Sequence, residues 1–165
     1  MRDRRRVLLE MRMIEAFRLI PYGIYVLTTK RGTDLYAMIV SWVSQVSYSP
    51  PLLVVALRRN RRALPAVQEI GFFSLSLLKK DQKPLVSRFK ESPPEPASSI
   101  FSEESGKKTA PSFKGCLAYW ECRLISSVEA GDHILCIGEV QSASVQGEGD
   151  PLTTLDYGKT YIGQI

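Results

Sequence analysis

The sequence contains a single histidine, His133, in the turn Gly131-Asp132-His133 that leads into the apolar run Ile134–Val140. An imidazole just after a glycine turn, at the mouth of a strand, is placed to touch a ligand. A simple hairpin with a surface histidine would read the same way. Two further groupings could do chemistry. Ser41, Gln45 and Ser47 supply hydroxyl and amide groups at alternate positions of a strand-like run, with Val43 between them. Period-2 geometry then puts these side chains on one face and Trp42, Ser44 and Val46 on the other, toward a core or a partner subunit. Arg58-Arg59-Asn60-Arg61-Arg62 follows an apolar strand and precedes a helix. Arginine matches phosphate bidentately, and a helix N-terminus adds backbone donors. The phosphate of a nucleotide cofactor is therefore the preferred reading, beside a plain solvated basic turn. No aromatic residues interleave with these arginines, which argues against a single-stranded nucleic-acid platform.

Several chemistries are excluded. The chain has no G-x-S-x-G elbow, P-loop or G-x-G-x-x-G fingerprint, so a nucleotide here is not held by a Rossmann motif. Asp132, adjacent to His133 in sequence, is not expected to be free to orient it as a triad carboxylate would. Cys116, Cys122 and Cys136 form no C-x-x-C pair, and with one histidine no metal site is expected. Buried free thiols in a reducing compartment fit better. Any electrons must then be carried by a bound organic cofactor.

The elements that must position these residues are short. An amphipathic helix is expected over the first nineteen residues, ending before Pro21, with Val7, Leu8, Met11, Ile14, Phe17 and Leu19 near one face. Strands are expected over Gly23–Thr29, Leu35–Val46, Leu52–Leu57, Phe72–Leu77, Leu117–Ser126 and His133–Val145. A helix fits Ala63–Ile70, and another, capped by Asp81, runs to about Lys90. Residues 91–114 are rich in Pro, Ser, Glu and Lys and read as a long loop. The pattern is mainly β with helical covers, an antiparallel barrel.

The chain has 165 residues, enough for one domain, 1–165, with residues 1–13 as a helical extension. No apolar run approaches the roughly 20 residues needed to span a bilayer, and no signal peptide is evident, so a cytoplasmic location without membrane contact is expected. The net charge of +5 is uneven: residues 1–62 hold 12 Lys/Arg against 4 Asp/Glu, and residues 63–165 hold 10 against 13. Positive charge at one end suits a phosphate-bearing small molecule, among other anions.

Taken together the segments resemble the flavin reductase family. Pro21-Tyr22-Gly23 is similar to its opening P-x-G strand, and Ser41–Pro51 to its flavin strand and Pro-Pro corner. Gly71-Phe72-Phe73 with Leu75 and Leu77-Leu78, Arg88-Phe89, and Leu117-Ala118-Tyr119-Trp120-Glu121-Cys122 fit successive motifs. The Gly-Asp-His turn with Gly138-Glu139-Val140, then Pro151-Leu152 and Tyr161, complete a match over most of residues 14–163. Trp42, Val43 and Gln45 resemble the version found in modules of flavodiiron proteins and NADH:rubredoxin reductases. Ile39 stands where the family usually has Thr.

The resemblance implies an FMN-binding antiparallel split barrel, dimeric, in which NADH or NADPH gives a hydride to FMN, or FAD, and electrons pass to a partner such as a redox protein. It implies that Ser41, Trp42, Val43, Gln45 and Ser47 hold the flavin ring and ribityl chain. Arg58, Asn60, Arg61, Arg62 and Arg88 are the phosphate candidates, and Asp132 and His133 border the nicotinamide. The alternative is an FMN-binding electron-transfer module with no NAD(P)H site of its own.

Overall fold

A computed structural model describes residues 2–91, 100–102 and 110–158. The chain forms helix α1 (Arg2–Arg18), strands β1 (Tyr25–Arg31), β2 (Asp34–Val40), β3 (Val43–Tyr48) and β4 (Pro51–Arg58), helix α2 (Ala63–Ile70) and strand β5 (Phe72–Leu77). Helix α3 (Leu85–Glu91), the long strands β6 (Ala118–Ala130) and β7 (His133–Val145), and the short helix α4 (Thr154–Tyr157) follow.

All seven strands belong to one antiparallel sheet in the order β2-β1-β5-β6-β7-β4-β3. The two edge strands, β2 and β3, are neighbours in sequence. Only Ser41 and Trp42 separate them. Three peptide steps span at most about 10–11 Å, so a sheet of seven strands must curl until its edges nearly meet. It remains unclosed by hydrogen bonds, because no ladder joins β2 to β3 among the described residues. The split of this open barrel is the Ser41–Trp42 link.

The expected single strand Leu35–Val46 is thus two strands. At the break the Val43 N–H donates to the Ser41 carbonyl at 2.9 Å, while the Ala56 N–H donates to the Trp42 carbonyl at 3.0 Å. A bulge between Gln45 and Ser47 further disturbs the alternation. The turn at Ser49-Pro50 contains a cis peptide bond. Pro51 begins β4, a position where a missing N–H is tolerated.

Successive residues of β1 and β2 face two cores, as pleating requires. Leu27 and Val40 join Val55, Leu57, Phe73, Leu75, Cys122 and Cys136 inside the curl. Helix α2 adds Ala63, Leu64 and Val67 there and ends on Gly71, whose φ of 73° provides the left-handed cap. Val26 and Ile39 face outward into a second core with Leu78, Val86, Phe89, Phe101, Phe113 and Leu152. The rings of Phe89, Phe101 and Phe113 meet edge-on at 6.0–6.4 Å.

Most of the expected loop 91–114 lies outside the described residues, as does Tyr161. Its described end closes over the outer face of the sheet. Thr28 Oγ1 donates to the Pro111 carbonyl (2.5 Å), Ser74 Oγ to the Ala110 carbonyl (2.6 Å), and the Phe113 N–H to Ser76 Oγ (2.9 Å). Asp81 does not cap a long helix. It sits in a single 3₁₀ turn, Lys80–Gln82, before the shorter α3.

Helix α1 forms as expected, yet most of its described apolar side chains face solvent. Leu9, Met11, Met13, Phe17 and Leu19 are exposed. All three cysteines are free and buried. Burial pushes the Cys122 thiol up to about 12 and the Cys136 thiol up to about 11.

Gly138 sits where β7 crosses the core: a Cβ there would lie 2.7 Å from both Cys122 Cβ and Phe73 Cζ. Neither atom is the end of a flexible chain, so Gly138→Ala is expected to destabilise by about 1–3 kcal/mol. A fall in Tm of several degrees in thermal unfolding checks this.

Candidate functional site

Three segments distant in sequence converge at the split. The first is the Ser41–Trp42 link itself. The second is the tip of the β6–β7 hairpin. Ala130 pairs with His133, so the turn is the two residues Gly131 and Asp132. Gly131 has a φ of 59°, which a two-residue hairpin requires at its first central position. The third is the end of β4, where Arg58 pairs with His133 across the β4–β7 ladder.

The side chains lock these segments together. The indole of Trp42 lies against the His133 imidazole with centroids 4.7 Å apart, and its other neighbour is Tyr22 at 6.3 Å. His133 Nδ1 contacts Asp132 Oδ1 at 2.7 Å, and Arg58 Nε donates to Asp132 Oδ2 at 3.3 Å. The expectation that an adjacent aspartate could not orient His133 is therefore corrected. The tight turn folds the Asp132 side chain back along the strand that His133 begins. Arg59 clamps the same turn from outside: its N–H donates to the Asp132 carbonyl, its Nε to the Gly131 carbonyl (3.1 Å each), and its guanidinium pairs with Glu129 at 3.2 Å.

The other expected site residues are distributed unevenly. Ser41 is buried and Trp42 half-open at the split. The predicted common face of Ser41, Gln45 and Ser47 does not survive the break and the bulge. Val43 packs against the inner core, whereas Gln45 is exposed and Ser47 half-buried. Ser44 and Val46, expected toward a core or partner, are exposed. Asn60, Arg61 and Arg62 are exposed around the start of α2, and Arg62 occupies its N-cap without a side-chain capping bond. Arg88 is exposed on α3, and no described contact links it to Trp42, His133 or Arg58. Sequence reasoning missed Tyr22 and the clamping role of Arg59. Pro21-Tyr22-Gly23 was visible as a motif, but only the curl shows what Tyr22 touches.

A search against protein-family models matches the flavin reductase like domain over residues 17–163. The chain belongs to the flavin reductase-like family. It is 32% identical over 144 residues to the actinorhodin polyketide dimerase of Streptomyces coelicolor, covering 86% of this chain and 80% of that one. It is also 32% identical over 130 residues to the NADH-dependent FMN reductase SmoA of Agrobacterium fabrum, covering 79% and 73%. The solved flavin reductase PheA2 superposes with a TM-score of 0.74 at 30% identity, covering 86% of this chain and 91% of that one. By contrast, the chain spans only 24% of the length of the Synechocystis diflavin flavoprotein A 1 that it also matches.

The residues at the split fit a flavin on one observation. Seven polar or charged residues are buried among those described: Thr28, Thr29, Ser41, Ser74, Ser76, Ser112 and Glu121. Six of them have side-chain partners: Pro111, Phe72, Ala110, Phe113, Ser102 and Ser142 respectively for Thr28, Thr29, Ser74, Ser76, Ser112 and Glu121. The Ser41 hydroxyl, 3% exposed as a residue, has none among the described residues. A buried hydroxyl without a partner costs free energy, which a ligand's hydrogen bond restores.

The electrostatics of the turn give a pH prediction. The hydrogen bond from His133, aided by Arg58, holds the Asp132 carboxyl below the usual carboxylate range. A depressed value means the pairing is fully present above the unfolded pKa of about 3.9 and is lost as pH falls through the lower folded value. The Asp132 carboxyl resonance is expected to titrate below that reference, and His133→Ala should raise its midpoint more than Arg58→Ala does. Carbon-detected NMR titration checks both.

Proposed function

We propose that this chain is an NAD(P)H-dependent flavin reductase that binds FMN across the split and lets a reduced nicotinamide approach beside the Gly-Asp-His turn. The observation that carries the reading is the Trp42–His133 stack at 4.7 Å, which joins the flavin strand to the turn, with the unsatisfied Ser41 hydroxyl next to Trp42. When bound, the flavin supplies the hydride acceptor. The chain's own contribution is binding and orientation, which bring donor and acceptor within roughly 3–3.5 Å.

Ser41, Gln45 and Ser47 offer hydrogen-bonding groups to the ring and ribityl chain, and Trp42 an aromatic wall. Asn60, Arg61 and Arg62 at the start of α2 offer charge and open backbone donors to the phosphate. Arg58 is engaged with Asp132 and ranks behind them. Arg88 belongs to the phosphate site only if the fold brings it there through a second subunit. FAD would be accepted if its adenosine can leave along the basic turn. The electrons pass to a partner protein, as in two-component systems; the reductase component of 4-hydroxyphenylacetate 3-monooxygenase from Thermus thermophilus is 28% identical over 144 residues. The alternative, an electron-transfer module without an NAD(P)H site, leaves the ordering of the His133 ring unexplained.

Stopped-flow reduction and FMN titration of the same variants test the reading. His133→Ala is expected to slow flavin reduction by roughly 5- to 150-fold with FMN affinity nearly intact, the loss of one positioning contact. Arg61→Ala, Arg62→Ala and Ser41→Ala should do the opposite, weakening FMN by roughly threefold or more each. Wild-type reduction rates in His133→Ala would favour the electron-transfer module.

The dimer belongs to the same reading. Leu9, Met13 and Phe17 follow i, i+4 spacing along α1 and are exposed, and Tyr48 on the edge strand β3 is 88% exposed. A 17-residue helix whose described apolar side chains are mostly exposed is marginal in water, so a second copy is the expected cover. Light scattering should give twice the 18.5 kDa of the chain, and Phe17→Glu should shift the mass toward the monomer. The free, buried thiols agree with a reducing compartment such as the cytoplasm.

A further inference from the structure

Resting on the flavin reductase reading, we propose that Thr154 is a positioning residue for the flavin-binding split: it fixes Tyr22, and the Tyr22 ring props the Trp42 indole. Residues 20–24 join α1 to β1, and Pro21 offers this stretch no N–H. Both backbone groups of Tyr22 end on one residue far along the chain. Its N–H donates to Thr154 Oγ1 at 3.0 Å, across 132 positions, and its carbonyl accepts from the Thr154 N–H at 2.8 Å. The Thr154 hydroxyl in turn donates to the Ile20 carbonyl at 3.4 Å. The stretch has little room to relax on its other side. A Cβ on Gly23 would lie 2.9 Å from Tyr25 Cε2, and Tyr25 is itself packed against the inner core.

Thr154 is placed by groups that belong to no part of the split. Thr153 and Asp156 cap α4 reciprocally: the Thr153 hydroxyl and N–H donate to Asp156 Oδ2 at 2.6 and 3.1 Å, and the Asp156 N–H donates to Thr153 Oγ1 at 3.3 Å. Lys80 Nζ lies 3.6 Å from the same carboxylate, and Lys83 Nζ donates to the Asp156 carbonyl at 2.9 Å. Just before the cap, Leu152 is fully buried in the outer core, where its N–H donates to the Leu78 carbonyl at 2.8 Å. The contacts therefore run in a line from Lys80 through Asp156, Thr153, Thr154 and Tyr22 to Trp42. Trp42 stands half-open on the two-residue link, between the Tyr22 ring at 6.3 Å and the His133 ring at 4.7 Å. A wall held in one rotamer before the ligand arrives spares the entropy of ordering it on binding.

Trp42 and Trp120 are the only tryptophans, so fluorotryptophan labelling gives two fluorine resonances, assigned with Trp42→Phe. The spectra are taken on apoprotein. Thr154→Val keeps the side chain's shape but cannot accept from the Tyr22 N–H, and is expected to shift or broaden the Trp42 resonance while that of Trp120 stays in place. Tyr22→Leu should have the same effect. Thr154→Ser, which keeps the hydroxyl, should give back the wild-type spectrum. An unmoved Trp42 resonance in Thr154→Val overturns the proposal. So does an equal change at Trp120, which would mean a general loosening of the domain. Should Thr154→Val not fold, Thr154→Ala and Tyr22→Leu are read by the same criteria.

FMN titration of the same proteins reads the consequence for binding. Thr154→Val should weaken FMN by about three- to tenfold, the loss of one neutral hydrogen bond, and Thr154→Ser should bind as the wild type does. In protein that already carries Tyr22→Leu, Thr154→Val should weaken FMN no further, because both substitutions act through one ring. Losses that multiply would overturn the line of contacts through Tyr22. Wild-type affinity in Thr154→Val, with the Trp42 resonance displaced, would overturn the link from Trp42 to the flavin. If the wild type binds no FMN, the flavin reductase reading fails, while the fluorine spectra still decide whether Thr154 positions Trp42.

Discussion

The two-residue link between β2 and β3 is the constraint on which the rest of the molecule depends. These strands lie at opposite ends of a seven-strand order, yet Ser41 and Trp42 alone connect them. A covalent tether of that length overrides any preference for a flatter sheet. It forces the curl, and the curl encloses the core of Leu27, Val55, Leu57, Phe73 and Leu75 that α2 then closes. Where the ladder stays open, backbone and side chains lack the neighbours a closed sheet would provide. The buried Ser41 hydroxyl, without a partner among the described residues, is the local consequence.

The two faces of the sheet solve the burial of hydroxyls differently. On the outer face, Thr28, Ser74 and Ser76 hold residues 110–113 against the strands, so segments separated by 36 to 83 positions become one surface. Those hydrogen bonds and the ring cluster of Phe89, Phe101 and Phe113 make that side a cover. At the split, no described residue fills the same role.

The hairpin tip shows how exposed charges can still define geometry. The Arg59–Glu129 and Arg58–Asp132 pairs are largely solvent-exposed and contribute little to stability. Their effect is directional. Together with the backbone bonds of Arg59 they leave Gly131, Asp132 and His133 few alternative conformations, and Trp42 completes the frame from the far edge of the sheet.

Much of this was legible in the amino-acid sequence, because the signals are local. The helix Ala63–Ile70, the strand Phe72–Leu77, the start of β7 at His133 and the glycine turn before it follow from periodicity and from the conformations that glycine and proline allow. The motif residues also identified the family correctly. The site was only partly legible. Alternation along Leu35–Val46 placed Ser41, Gln45 and Ser47 on one face, but alternation holds only while a ladder holds, and the tether between sheet edges breaks it at Ser41–Trp42. Chain adjacency likewise argued against contact between Asp132 and His133, whereas a two-residue turn folds the carboxylate back onto the ring. The amphipathic pattern of α1 was read correctly as a helix, but a pattern cannot say whether its apolar side meets this domain. Sequence alone determined which segments form helix or strand and which residue types are available for chemistry, since both depend on neighbours within a few positions. Only the tertiary structure decided that Trp42, Arg58 and His133 meet, because that contact depends on strands brought together by the pairing and curl of the sheet, over separations of 75 and 91 residues that no local rule encodes.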